Sequence, residues 1–187
     1  MSSLAPGLLV AAPPLGDPNF DRSVVLLAAH GPEGAFGWVI NGREVMTLEE
    51  LLSRADLTPS GVAPSGPVRI GGPVSQEQVW LVYPTENRIV GFPEQFDVGS
   101  GVTASPSRKL LEAIALGQGP KGVMGLAGYA GWAPSQLENE IRLGSWLPTD
   151  ADPALLFEVP REEIWRAAYE RLGTTPIAFT TRTVGSA

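Results

Sequence analysis

The stretch from Gly122 to Trp146, GVMGLAGYAGWAPSQLENEIRLGSW, constrains this chain more than any other. An apolar run meets a set of glycines and then an amphipathic segment that starts near Pro134. The pattern predicts a buried strand over Gly122 to Leu126, a glycine-rich turn and a helix over Pro134 to Leu143 ended by Gly144. Such an order sets backbone N–H groups and a helix N-terminus at a sheet edge, where an anion is favoured. The spacing Gly125-x-x-Gly128-x-x-Gly131 fits neither the dinucleotide fingerprint nor the Lys-bearing phosphate loop. The segment therefore marks a place without specifying its ligand.

The rest of the chain alternates strands and helices with no linker long enough to divide it. Gly7 to Ala12, Arg22 to His30 and Ala35 to Ile40 read as strands, the last two as a hairpin. Thr47 stands three residues before Glu50, a capping-box spacing, ahead of a short helix with Leu48, Leu51 and Leu52 on one face. The Pro- and Ser-rich loop of Asp56 to Pro67 leads into Val68 to Ile70 and the GGPV turn at Gly71 to Val74. Val79 to Tyr83 and Arg88 to Gly91 are expected to pair. Ser105-Pro106 is expected to cap a helix that stops at Gly117. Ala154 to Val159 reads as a strand, and Pro160 to Leu172 as a helix stopped by Gly173. These elements make one α/β domain of 187 residues. Its sheet is expected to be mainly antiparallel or mixed, with partial closure allowed, and its helices to lie near residues 47, 106, 134 and 161. The core spans about residues 7–173, and the tail 174–187 is expected to fray.

Composition then removes whole function classes. The chain holds no Cys and one His, so thiol catalysis, disulfides and Cys-based metal sites are excluded, and no metal or cofactor is implied. Lys and Arg number 13 against 20 Asp and Glu, a net charge of −7, which opposes the phosphate neutralisation behind nucleic-acid binding. The arginines are scattered, with no basic stripe. Apolar runs are too short for a membrane helix, and the N-terminus lacks the basic region of a secretion signal. A cytoplasmic protein is expected.

Five segments occur in order: GLLVAAPPLGDPNFDRSVVLLAAH (Gly7 to His30), GAFGWVIN (Gly34 to Asn41), RIGGPV (Arg69 to Val74), VTASPSRKLLEAIALGQGP (Val102 to Pro120) and GYAGWAPSQLENEI (Gly128 to Ile141). Together they resemble the AlgH/YqgE family of bacterial proteins. The resemblance implies a cytosolic, single-domain α/β protein that carries the label of transcriptional regulator, with no biochemical activity established. The chain departs from the family pattern at Asn41-Gly42-Arg43, where Asn-Arg-Pro is frequent. It departs again at Ser135 and Gly144, where the family often has Gly and Asn, and after Tyr83, where a His often ends that strand.

The candidate ligand-binding residues are Asn41, Gly71, Gly72, Gly128, Tyr129, Gly131, Trp132 and Gln136. Gly71 and Gly72 admit close approach of a ligand, or simply make a tight turn. Gly128 and Gly131 fit an anion nest or close packing of strand on helix. Trp132 and Tyr129 suit a lid, or a plug for the core. Gln136 shares a helical stripe with Glu140, and Glu138 with Arg142 suits a surface ion pair. Two function classes follow. One is a regulatory binding protein that takes a small anionic ligand or a protein segment between the GGPV and GYAGW turns. The other is a hydrolase in which His30 is the base, with Asp17 or Asp21 as its partner and Asn41 or backbone N–H groups as oxyanion donors. A DNA-binding regulator ranks third. Oligomeric state stays open.

Overall fold

The apolar strands near the N-terminus bury both of their faces. In the computed structural model, which describes residues 3–13 and 15–177, β1 (Gly7–Ala11), β2 (Val24–Gly31) and β3 (Gly34–Val39) lie side by side and antiparallel. Leu8, Val10, Val24, Leu26 and Trp38 point into one core cluster, and Leu9, Ala11, Val25, Leu27 and Val39 into another. Two buried faces explain why these strands read as continuous apolar runs rather than alternating ones. The predicted hairpin is present, closing at Gly31 opposite Gly34. β10 (Trp146–Asp150) pairs with β1 on the outer side.

The sheet is curled and ten-stranded, and its main path runs β10, β1, β2, β3, β9, β6, β8, β7. β9 (Met124–Trp132) joins the two halves: it pairs antiparallel with β3 and with β6 (Val74–Pro84), and parallel with β5 (Pro67–Ile70). β7 (Phe96–Gly99), β8 (Val102–Ser105) and β4 (Glu44–Thr47) complete it through antiparallel pairs. Helices α1 (Leu48–Arg54) and α2 (Arg108–Ala115) cover the β6–β8 side. Leu137 of α3 (Gln136–Arg142) packs with Trp132 and Trp146. On the opposite face, α4 (Pro153–Phe157) and α5 (Ile164–Arg171) pack Leu155, Leu156, Ile164 and Ala168 against β1 and β2. The capping box is formed as expected: the Thr47 hydroxyl accepts from the Glu50 N–H at 3.1 Å, and the Glu50 carboxylate accepts from the Thr47 N–H at 2.7 Å.

Four expectations are corrected. The segment Gly128 to Trp132 is strand, not turn, because β9 runs through it. Gly128, at φ 76°, is instead a bulge that reverses the side-chain alternation: Met124 and Leu126 face the α4–α5 side, whereas Ala130 and Trp132 face α3. The partner strand is irregular at the same level, where pairing jumps from Val74 to Val79. Arg88 to Gly91 is loop, and β6 pairs with β8 in its place. Gln95 ties that loop down, accepting from the Tyr83 hydroxyl at 2.8 Å and donating to the carbonyls of Ile89 and Phe92. Ser105 ends β8, and the N-cap of α2 is Ser107, whose N–H donates to the Ser105 hydroxyl at 3.2 Å. Ala154 to Val159 holds helix α4, not a strand. Asp152 caps it by accepting from the Ala154 N–H at 2.9 Å, and Pro153 takes the first helical position. Of the tail 174–187, residues 178–187 lie outside the described residues.

Candidate functional site

The two glycine segments that bracketed the expected site touch each other directly. The Gly71 N–H donates to the Ala127 carbonyl at 2.7 Å, and the Gly71 carbonyl accepts from Val39 at 2.8 Å. A Cβ on Gly72 would stand 2.0 Å from the Tyr129 carbonyl carbon, and one on Gly71 2.6 Å from the Gly128 oxygen. Backbone packs on backbone here, which only Gly permits. The GGPV glycines are thus needed where β5 leaves β9, and the space between the two segments is filled by main chain.

Trp132 and Gln136 meet in a hydrogen-bonded cluster on α3. The indole N–H groups of Trp132 and Trp146 both donate to one oxygen of Glu140, at 2.9 and 2.8 Å. Gln136 donates to the other oxygen at 2.8 Å and accepts from the Ala133 N–H at 3.0 Å. Trp132 is buried, with Phe20 stacked at 6.3 Å and Trp146 edge-on at 5.9 Å. Ser135 enters the helix with φ 63° and makes no side-chain cap, while the Gln136 side chain caps the preceding backbone. Tyr129 lies half-buried on the other side of the sheet, 4.9 Å from Phe36 in an aromatic group with Trp38 and Trp80. Gly131 is exposed, opposite Phe36 in the ladder.

His30 and Asn41 stand at opposite ends of their hairpin, since His30 pairs with Ala35 and Asn41 follows the strand end that lies beside Val24. They do not share a rim. The His30 side chain is only 4% exposed and both ring nitrogens are engaged: Nδ1 accepts from the Leu4 N–H at 3.1 Å, so Nε2 carries the proton and donates to Glu138 at 3.0 Å. Its carboxylate partner is therefore Glu138, not Asp17 or Asp21. Arg142, expected to pair with Glu138, bonds Asn139 instead. The Glu138 carboxyl is held below its usual range, first by its own backbone N–H at the start of α3 and then by His30. This ring clamps the N-terminal segment onto α3.

Asn41 sits at the edge of a cleft of about 450 Å³ formed by the β1–β2, β3–β4 and β5–β6 connections and the 3-10 turn Arg161–Glu163. Arg22, Arg43 and Arg161 line it, with Asn19, Gln76 and Gly72; Asp21 is the acidic residue in the lining. Both ends of the Asn41 amide hold backbone, Oδ1 accepting from Val24 and Nδ2 donating to the Arg22 carbonyl, each at 2.9 Å. Asn41 thereby fixes the loop that carries Arg22. Arg69 lies behind this wall, 7% exposed, donating to the Ile40 carbonyl at 3.0 Å with Glu44 at 3.5 Å. Burial lowers its pKa, partly offset by Glu44. Of the sequence candidates, the fold brings Asn41 and Gly72 to the cleft and leaves Gly71, Gly128, Tyr129, Gly131, Trp132 and Gln136 outside its lining. The three arginines carry no sequence signal as a group because they are 21 to 139 positions apart along the chain. Among the described residues, no group of three His, Asp or Glu is placed to hold a metal, and no helix is long and apolar enough to cross a membrane.

A mixed α/β domain with a curled sheet, helices on both faces and an arginine-lined cleft at the strand connections is the class defined by this fold and site. The chain belongs to the AlgH-like family, whose model matches residues 8–177. It is 41% identical over 186 residues to a UPF0301 protein of Anaeromyxobacter sp. (strain Fw109-5), covering 95% of this chain and 92% of the relative. A UPF0301 protein of Thioalkalivibrio sulfidiphilus is 39% identical, with 88% and 87% covered. The solution structure of the AlgH protein from Pseudomonas aeruginosa superposes with a TM-score of 0.78 at 33% identity, covering 100% of this chain and 95% of that one. A crystal structure of a Corynebacterium diphtheriae protein gives 0.70 at 26% identity, covering 89% and 86%.

Proposed function

We propose that this is a cytoplasmic regulatory binding protein that takes a small anionic ligand in the cleft between Arg22, Arg43 and Arg161. One observation carries the reading: a chain with net charge −7 gathers three of its 13 basic side chains around a single cleft, with Asp21 as the acid in its lining. Guanidinium forks match carboxylate and phosphate oxygens in a bidentate way. Asn41 acts in this reading by fixing the Arg22 loop, and Gly72 by letting the β5–β6 connection pass close to β9. Any effect on transcription is indirect, through the ligand or a protein partner that reads the occupied state.

The experiment is a calorimetric titration of the purified chain with phosphorylated and carboxylated metabolites, repeated with the Arg43→Ala, Arg161→Ala double variant. Binding by the wild type and at least tenfold loss in the double variant are expected. Equal binding by both moves the site elsewhere, and binding to a protein segment alone replaces the small ligand by a partner.

A further inference from the structure

Arg22 has φ 51°, in the left-handed region that a residue with a side chain avoids. The surrounding bonds hold it there. Its carbonyl accepts from Asn41, and the next residue, Ser23, donates through both its N–H and its hydroxyl to the Phe20 carbonyl, at 3.1 and 2.9 Å. The guanidinium carbon lies 5.7 Å from the centroid of the Trp165 ring. That ring is itself fixed, its N–H donating to the Ala11 carbonyl at 2.9 Å and its edge meeting Tyr169 at 5.1 Å. Non-glycine backbone in such a region persists where the surroundings over-determine it, and it concentrates at ligand sites.

The charge inventory of the cleft is equally specific. Among the described residues Arg161 pairs with Glu162 at 2.8 Å, whereas Arg22 and Arg43 have no carboxylate within ion-pair distance. Two cations are left for a ligand to neutralise. The lining holds no aromatic ring on which a base can stack, and the Trp165 face is taken by Arg22 itself. Building on the anion-binding reading above, we infer that the cleft takes a compact dianion without a base, a phosphomonoester or a small dicarboxylate, with Arg22 as its principal anchor. The strained turn places Arg22 in the lining of the cleft, and the Trp165 ring supports its guanidinium there.

Calorimetry with glycerol 3-phosphate, succinate, acetate, ribose 5-phosphate and AMP tests this, using wild type, Arg22→Gly and Arg22→Lys. Glycerol 3-phosphate or succinate is expected to bind at least tenfold tighter than acetate, and the preferred one of the two names the source of the charge. AMP is expected to bind no tighter than ribose 5-phosphate. Arg22→Gly is expected to lose at least tenfold in affinity while its ligand-free melting temperature stays level or rises, because Gly is at ease at this φ. Arg22→Lys keeps the charge without the planar fork and is expected to fall between. Acetate equal to succinate, AMP far tighter than ribose 5-phosphate, or unchanged affinity in both Arg22 variants overturns the inference and leaves the anion site standing. No anion bound by the wild type removes the anion-binding reading itself.

Discussion

Replacing Glu140 by Ala separates a core role for Trp132 from a lid role. The carboxylate accepts two indole donors and one amide donor, all between 2.8 and 2.9 Å. Trp132 and Trp146 are both buried, so neither N–H gains water readily when its acceptor is removed. A buried donor left unpaired costs about 1–3 kcal/mol, and two such donors give roughly 2–5 kcal/mol once some local relaxation is allowed. The amide of exposed Gln136 finds water and adds little. At about 2–4 °C per kcal/mol for a chain of this length, Glu140→Ala should lower the melting temperature by roughly 4–20 °C. Glu140→Gln keeps one acceptor oxygen, enough for both indoles, and should lose far less. Trp132→Phe and Glu140→Ala should also be less than additive, because the first removes a donor that the second orphans. Chemical denaturation followed by Trp fluorescence measures all of these. A Glu140→Ala variant within about 0.5 kcal/mol of wild type, the range of an ordinary surface change, refutes the structural role of the cluster and returns Trp132 to the surface.

Further outcomes follow from the same contacts. Glu138 has a folded pKa depressed below its unfolded value, so its contribution is present above the ordinary carboxylate range and lost as pH falls through the folded pKa. The stability gap between wild type and Glu138→Gln should therefore be open at pH 7 and close in acid; a gap that stays constant to pH 3 contradicts the His30 clamp. Burial pushes the Tyr83 and Tyr169 phenols up to about 12. Their unfolded forms ionise near pH 10, so stability should decline between about pH 10 and 12, and native ultraviolet titration should show these two phenols ionising only near the top of that window. Gly72→Ala, whose Cβ would meet the Tyr129 main chain at 2.0 Å, should yield little folded protein, whereas Gly16→Ala, with open space around it, should be far milder.

Local chemistry in the sequence was read well where it is self-contained. Thr47 and Glu50 specify a helix start through four residues, and the β2–β3 hairpin needs only two apolar runs and a short polar break. Elements that depend on distant partners were not readable. β4, β7, β8 and β10 are four or five residues long, and each is defined by the strand it pairs with. The ALLF run in α4 has no period long enough to separate strand from helix, although Asp152-Pro153 carried the helix signal. The glycines of GYAGW do not separate a bulge from a turn, since both use the same residue; Gly128 serves a strand that three others flank. The opposite placement of His30 and Asn41 was available from hairpin geometry alone. The cleft was not, since Arg22, Arg43 and Arg161 come together only through the β1–β2 loop, the β3–β4 connection and the turn before α5.

The central claim is the location and charge of the ligand site, and an amide chemical-shift titration of the full chain with succinate and glycerol 3-phosphate tests it most directly. The account predicts saturable shifts concentrated at Arg22, Ser23, Asn41, Arg43, Gly72 and Gln76, with weaker changes near Trp165. Shifts confined to Gly128 through Gln136 would contradict it and restore the glycine-segment site, and an unchanged spectrum at millimolar concentrations of both anions would contradict the binding function altogether.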